Sequence, residues 1–124
     1  MISFTGALKI YLALKPCDMR KSFNGLYGLA ESQLGEDPKS GALFVFCNKR
    51  CNKIKTLYFD GTGVWVSAKR LEVGRFSWPK PSRPNQTKLK LAPEALQLLL
   101  DGVDLRGARL RPWYEREETK EKSA

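Results

Sequence analysis

ALFVFCNKRCNKIKTLYFDGTGVWVSAK, residues 42–69, contains three extended segments separated by two turns, and its reading decides the architecture. Ala42 to Cys47 is short, apolar and rich in Phe and Val, the composition of a central strand. Asn48 to Asn52 is a polar turn with Lys49 and Arg50 at its tip. Lys53 to Phe59 resumes an extended pattern, and Asp60-Gly61 signals a hairpin because glycine tolerates the positive φ of a tight turn. Gly63 to Lys69 alternates, with Val64, Val66 and Ala68 on one face and Trp65, Ser67 and Lys69 on the other. Consecutive strands joined by short turns predict an antiparallel meander.

Upstream, Ala7 to Leu14 also alternates and predicts a half-buried strand, stopped by Pro16. Asp18 is placed to cap a helix, since its carboxylate can accept from the unpaired N–H groups of a first turn. Met19, Phe23, Leu26, Tyr27, Ala30 and Leu34 recur at helical spacing, and Gly35 suits the left-handed position that ends a helix. Gly25 and Gly28 each cost about 1 kcal/mol relative to Ala inside that helix, for which close packing on a sheet would be a reason. Arg20 and Lys21 fall in the predicted first turn, where the helix dipole disfavours cations, which hints at a carboxylate or phosphate partner.

Downstream, Arg75 to Trp78 is expected to add a short strand before Pro79, and Pro79, Pro81 and Pro84 form a stiff connector. Ala92 to Leu100 predicts a second helix, with Pro93 in its first turn and Gly102 at its end. Glu115 to Ala124 has no apolar residue but the last, and reads as disordered. The expected fold class is α+β: an N-terminal strand and helix, an antiparallel meander of about four strands, a C-terminal helix and a disordered charged tail. Residues 1–113 form a single domain on this reading, and 114–124 the tail.

The 124 residues carry a formal net charge of +9, and 42% are hydrophobic, a composition that fits one globular domain. The charge is concentrated. Lys49 to Lys90 holds eleven basic residues against two acids, Asp60 and Glu72, whereas the remainder is balanced. Such a segment is the electrostatic footprint of a polyanion-binding surface, or else a well-solvated face. No apolar run reaches the roughly 20 residues of a membrane helix, and the N-terminus lacks the plan of a secretory signal. Three cysteines without an export signal point to free thiols in a cytoplasmic setting.

Catalytic constellations are thin. There is no His, so Ser-His and Cys-His pairs are excluded. No phosphate-cradling glycine loop occurs. Two-metal strand transfer needs converging carboxylates, and Asp60 is already explained by a turn. Asp101 and Asp104 flank a helix end. Cys47 and Cys51 in C-x₃-C spacing, with Cys17 distant, supply one ligand too few for zinc. No metal, cofactor or small-molecule substrate is expected. The basic hairpin is more informative: Lys49 and Arg50 at one tip, Lys53 and Lys55 on one strand face, Lys69 and Arg70 at the end of the next strand, and Arg75 beyond. A basic ribbon can enter a major groove or, with Tyr58 and Trp65, stack on unpaired bases. Taken singly, Tyr58, Trp65, Phe76 and Trp78 read as core or sheet-cover residues. Glu72 is positioned to pair with Arg70 or Arg75 and orient its guanidinium toward phosphate. The segment from Lys49 to Lys90 is accordingly expected to form one continuous positive surface, with Lys53 and Lys55 beside Lys69 and Arg70.

These residues also resemble a known family. Asp18-Met19-Arg20-Lys21 with Phe23, Gly25 and Leu26 is similar to its N-terminal motif. Leu43-Phe44-Val45-Phe46 with Asn48, Lys49 and Arg50 is similar to its central strand and turn, and Ile54-Lys55, Leu57, Asp60, Gly63 and Trp65 continue the match. Lys69-Arg70-Leu71-Glu72, Gly74-Arg75-Phe76 and Trp78-Pro79 resemble its most characteristic block, and Leu91 to Gly102 its Leu-rich helix. The family is the accessory TnpB protein of insertion sequence 66-type elements, and the resemblance runs from about Ala7 to Trp113. It departs at the Cys-bearing turn, where more Gly and Arg are expected. An unrelated RNA-guided nuclease family shares the name, but this chain is too short for it. The resemblance implies a non-catalytic protein that assists transposition beside a separate transposase. It supplies no catalytic residues. Two roles follow: a DNA-binding factor acting at element ends, or a subunit that docks on the transposase without touching DNA.

Overall fold

The computed structural model describes residues 8–101. Its elements are β1 (Ile10–Ala13), α1 (Phe23–Ser32), β2 (Leu43–Cys47), β3 (Lys53–Phe59), β4 (Val64–Arg70), β5 (Lys88–Leu91) and α2 (Pro93–Leu100). The strands form one mixed sheet in the order β4-β3-β2-β1-β5, so the chain is α+β. β2, β3 and β4 are the antiparallel meander expected of residues 42–69. β1 runs parallel to β2, because the chain between them crosses over through α1, and β5 pairs antiparallel with β1.

Helices cover both faces. On one, Leu26, Ala30 and Leu34 of the α1 region pack on Ala13, Phe44, Phe46 and Leu57. On the other, Ala95, Leu96 and Leu99 of α2 pack on Ile10, Leu12, Leu43, Val45 and Ile54. This explains why β2 is a continuous apolar run: all five residues are buried, alternate ones against opposite layers. The same two-sided cover makes β1 a buried strand, with three of its four residues buried, where its alternation had predicted one wet face.

Two local expectations are corrected. Asp18 does not cap α1. The helix begins at Phe23 with Ser22 at its N-cap position, and Asp18 instead closes a turn in which its carboxylate accepts from the Arg20 amide at 2.9 Å. Helical spacing upstream of Phe23 was therefore coincidental, and Phe23 itself is 52% exposed. Arg75 to Trp78 is not a strand. Gly74 at φ +84° turns the chain away from β4, and Phe76 drops into the α2-side core with its amide donating to Cys51 O at 2.6 Å. The fifth strand is Lys88–Leu91, which lies beyond the prolines against β1. Its pairing puts Leu89 and Leu91 on the α2 side and Lys88 and Lys90 on the α1 side. Gly35 is left-handed as expected, at φ +65°. The helix stop at Gly102, Asp104, the domain boundary at 113 and the charged tail all lie outside the described residues.

Candidate nucleic-acid interface

The β2–β3 turn is built by one side chain. Asn48 Oδ1 accepts from the amides of Asn52 (3.0 Å) and Lys53 (3.1 Å), while its Nδ2 donates to Asn52 Oδ1 at 2.7 Å. Cys51 adopts φ 58°, and its amide donates to Asn48 O at 3.1 Å. With the Asn48 amide donating to Lys53 O at 3.1 Å, five hydrogen bonds through one residue fix the tip that carries the exposed Lys49 and Arg50.

Two other loops are fastened to the same end of the sheet. The Cys17 amide donates to Cys47 O at 2.9 Å, bringing in Asp18 to Lys21, and Lys55 Nζ donates to Lys21 O at 2.8 Å. Leu71 N–H bonds Asn52 O at 2.9 Å and Phe76 N–H bonds Cys51 O, bringing in Arg70 to Arg75. Lys53 pairs directly with Arg70 in the β3–β4 register, and Lys55 shares their face with the small Ala68 opposite. Lys49, Arg50, Lys53, Lys55, Arg70 and Arg75 thus gather at one end of the sheet, joined by Arg20 and Lys21. The two carboxylates of these loops are each taken by an arginine. Asp18 Oδ2 meets Arg20 Nη2 at 2.8 Å, and Glu72 Oε2 meets Arg70 Nη2 at 3.2 Å. The hydrogen bonds from Arg20, side chain first and then amide, hold the Asp18 carboxyl down at about 2. Of the two partners considered for Glu72, the structure selects Arg70.

The expected single surface from Lys49 to Lys90 is divided. Lys69 lies opposite Ile54, on the α2 face, and its Nζ donates to Leu100 O at 2.7 Å. A one-residue step along a strand reverses the face, so Lys69 and Arg70 cannot share one. Lys88, at the far edge of the sheet, is half-buried, bonded to Leu34 O and to Glu36, and lies 5.4 Å from the Tyr11 ring centroid. Arg20 and Lys21 joined the cluster unannounced. Their charge in a predicted first turn had hinted at an anion, but only the long-range contact of 17–21 with 47–55 reveals where they act.

The remaining polar groups have structural work. Asp60 Oδ1 accepts from the amides of Thr62 and Gly63, both at 2.9 Å, and Oδ2 accepts from Trp65 Nε1 at 2.7 Å. Those bonds, the Thr62 amide foremost, hold its carboxyl well below the usual carboxylate range. Phe76 is core, and Trp78 packs beside it with Nε1 on Ala13 O at 2.9 Å. Trp65 is the exception, 46% exposed on the α2 face. Burial, followed by the neighbouring Cys51, pushes the Cys47 thiol up. Among the described residues, no three His, Cys, Asp or Glu side chains are grouped to hold a metal ion. None of these residues lies in a helix long and apolar enough to cross a membrane.

The family model described as IS66 Orf2 like protein matches residues 8–110. The chain belongs to the IS66 Orf2-like family. That family places it among the accessory proteins of insertion sequences and gives no known catalytic role. Within Sinorhizobium fredii (strain NBRC 101917 / NGR234), the chain is similar to a protein named uncharacterized protein y4jC. The two are 38% identical over 112 residues, 90% of this chain and 93% of that one. It is also similar to uncharacterized protein y4hO of the same strain, at 32% identity over 99 residues, 80% of this chain and 84% of the relative. No solved structure matches.

Proposed function

We propose that this IS66 Orf2-like protein assists transposition by binding DNA through the positive rim at the Asn48–Asn52 end of its sheet, in the cytoplasm and beside a separate transposase. The observation behind this reading is the convergence of three loops and two strand ends whose exposed side chains are mostly cationic, with the carboxylates of Asp18 and Glu72 already held by arginines. Lys49 and Arg50 on a rigid tip, and Lys53, Lys55 and Arg70 on one face, suit a surface that tracks phosphates. Glu72 acts on Arg70, fixing one end of the guanidinium so that its remaining donors face outward. Lys69 is not part of this surface.

The test is a gel shift of purified protein with terminal-repeat DNA and with random DNA of equal length, at low and physiological salt. The proposal expects both to shift at low salt, with the terminal DNA retained better as salt rises. No shift on either DNA, together with a stable complex between the protein and its transposase, would replace it with the docking role.

A further inference from the structure

On its α2 face the sheet carries an apolar groove of about 180 Å³ beside β3 and β4, lined chiefly by Ile54, Tyr58, Trp65, Leu96 and Leu100. We infer that this groove takes one unpaired base of single-stranded DNA, stacked on the Trp65 indole with a neighbouring phosphate on Lys69, an inference that rests on the rim being a DNA-binding surface.

Trp65 is built as a platform. It is 46% exposed, yet its indole is held in one orientation. Nε1 donates to Asp60 Oδ2 at 2.7 Å, and Asp60 Oδ1 is itself held by the Thr62 and Gly63 amides. A side chain already fixed in place loses little freedom when a ligand stacks on it. Tyr58 pairs with Trp65 in the β3–β4 register, so both aromatic side chains lie on the α2 face. Thr56 and Ser67 are the next pair on that face, and they line the groove with the small hydroxyl side chains that a base edge can bond.

The charge of the groove selects the ligand. Among the described residues that line it, Lys69 is charged and none is acidic. Lys69 Nζ donates to Leu100 O at 2.7 Å, and an ammonium has two further donors to offer a phosphate. Lys69 lies four residues from Trp65, about 13 Å along β4, so a strand that stacks a base on Trp65 can run past Lys69. The next residue, Arg70, belongs to the rim on the opposite face, so DNA held at the rim reaches the groove across β4. A flat apolar body with a negative charge beside it is a nucleotide. A paired base has both faces covered by its neighbours in the stack, which leaves an unpaired one to use an aromatic platform. The volume is below the roughly 300–1,000 Å³ of pockets for drug-sized ligands and suits one planar group. A second copy is the poorer occupant, because two chains of charge +9 repel and a stable interface buries about 800 Å² per partner.

The full chain is titrated with oligothymidylate and with a duplex of equal length, read by tryptophan fluorescence and by anisotropy of the labelled DNA. Oligothymidylate should quench the wild type, and the Trp65-dependent part of the quench should vanish in Trp65→Phe. Trp65→Ala should bind oligothymidylate about 5- to 150-fold more weakly, the loss of one stacked base, with Trp65→Phe between the two. Both variants should bind the duplex as the wild type does. Ser67→Leu fills the groove while keeping Trp65 and its bond to Asp60, and it should weaken oligothymidylate binding alone, so the test stays decisive if Trp65→Ala does not fold. Duplex binding by the wild type without a Trp65-dependent quench by oligothymidylate, or an equal loss on both DNAs in Ser67→Leu, overturns the inference and leaves the rim reading standing. Equal quenching by free thymidine monophosphate at the same nucleotide concentration also overturns it, since the ligand would then be a free nucleotide. So does a Trp65 signal that changes on dilution of the free protein, which would assign the groove to a second copy. No binding of either DNA at low salt overturns the rim reading and this inference together.

Discussion

Two glycines three residues apart in α1 should respond oppositely to alanine. Inside a helix, Ala is favoured over Gly by about 1 kcal/mol, largely because Gly loses more backbone freedom on folding. At Gly28 an added Cβ meets nothing within 4 Å, so Gly28→Ala should gain most of that amount. At Gly25 the same Cβ would sit 2.9 Å from Lys21 Cβ and 3.0 Å from its Cγ. Carbon contacts are best at about 3.5–4.0 Å. Lys21 Cβ cannot swing aside, because it is fixed to a turn whose Lys21 amide donates to Asp18 O at 3.0 Å. The turn must move, an overpacking cost of about 1–3 kcal/mol. Gly25→Ala should therefore be neutral to destabilising by about 2 kcal/mol, the overpacking cost less the helix gain. Urea unfolding reads both variants as shifts in midpoint at constant m. Lys21→Gly removes the obstacle, and in that background Gly25→Ala should recover its gain. Equal stabilisation by Gly25→Ala and Gly28→Ala in the wild-type background would refute the close approach of Lys21, and with it the placement of that lysine on the rim.

Phe44 is fully buried and stacks on Tyr11 with ring centroids 5.9 Å apart. Phe44→Ala should cost about 3–5 kcal/mol in the same unfolding assay. Acid should destabilise the fold through Asp18 and Asp60, whose carboxyls are both depressed in the native state. Their contribution is fully present above the ordinary 3.8 and is lost as pH falls through the native value, about 2 for Asp18. The urea midpoint should drop in that window, and Asp60→Asn should flatten the drop; an unchanged slope would sink the assignment. Glu72→Gln breaks an exposed pair worth about 0–1 kcal/mol, so stability should hardly change. DNA binding should nonetheless weaken although a negative charge is removed, and tighter binding would discard the orienting role of Glu72.

The meander was readable because its signals are local: the Asp60-Gly61 turn, the polar tip at 48–52 and the alternation of 64–69 lie within a few residues of one another. β5 was not, because four residues of Lys-Leu alternation after three prolines acquire meaning only when β1 offers an unpaired edge. The false strand at 75–78 had suitable residues, but Gly74 redirected the chain and Phe76 was worth more as a core plug. The false cap at Asp18 arose in the same way. An acidic residue before an apolar stripe fits a helix start, yet a bidentate arginine two residues on made a turn instead. The site divides similarly. Lys49, Arg50, Lys53, Lys55 and Arg70 follow from strand period and turn position. The addition of Arg20 and Lys21, and the loss of Lys69 to the other face, depend on how distant loops meet and on a one-residue parity.

DNA binding by the rim is tested most directly by the salt dependence of that binding. Fluorescence anisotropy of a labelled duplex should give a binding constant that falls linearly in log–log form with salt, with a slope of about −0.9 per phosphate contacted. Replacing Lys53, Lys55 and Arg70 together by Ala should lower the slope by about 2.7, three contacts' worth, on any sequence. Lys39→Ala, an exposed cation outside the rim, should leave it unchanged. A wild-type protein that does not bind DNA at low salt, or a triple variant with the wild-type slope, would contradict the account.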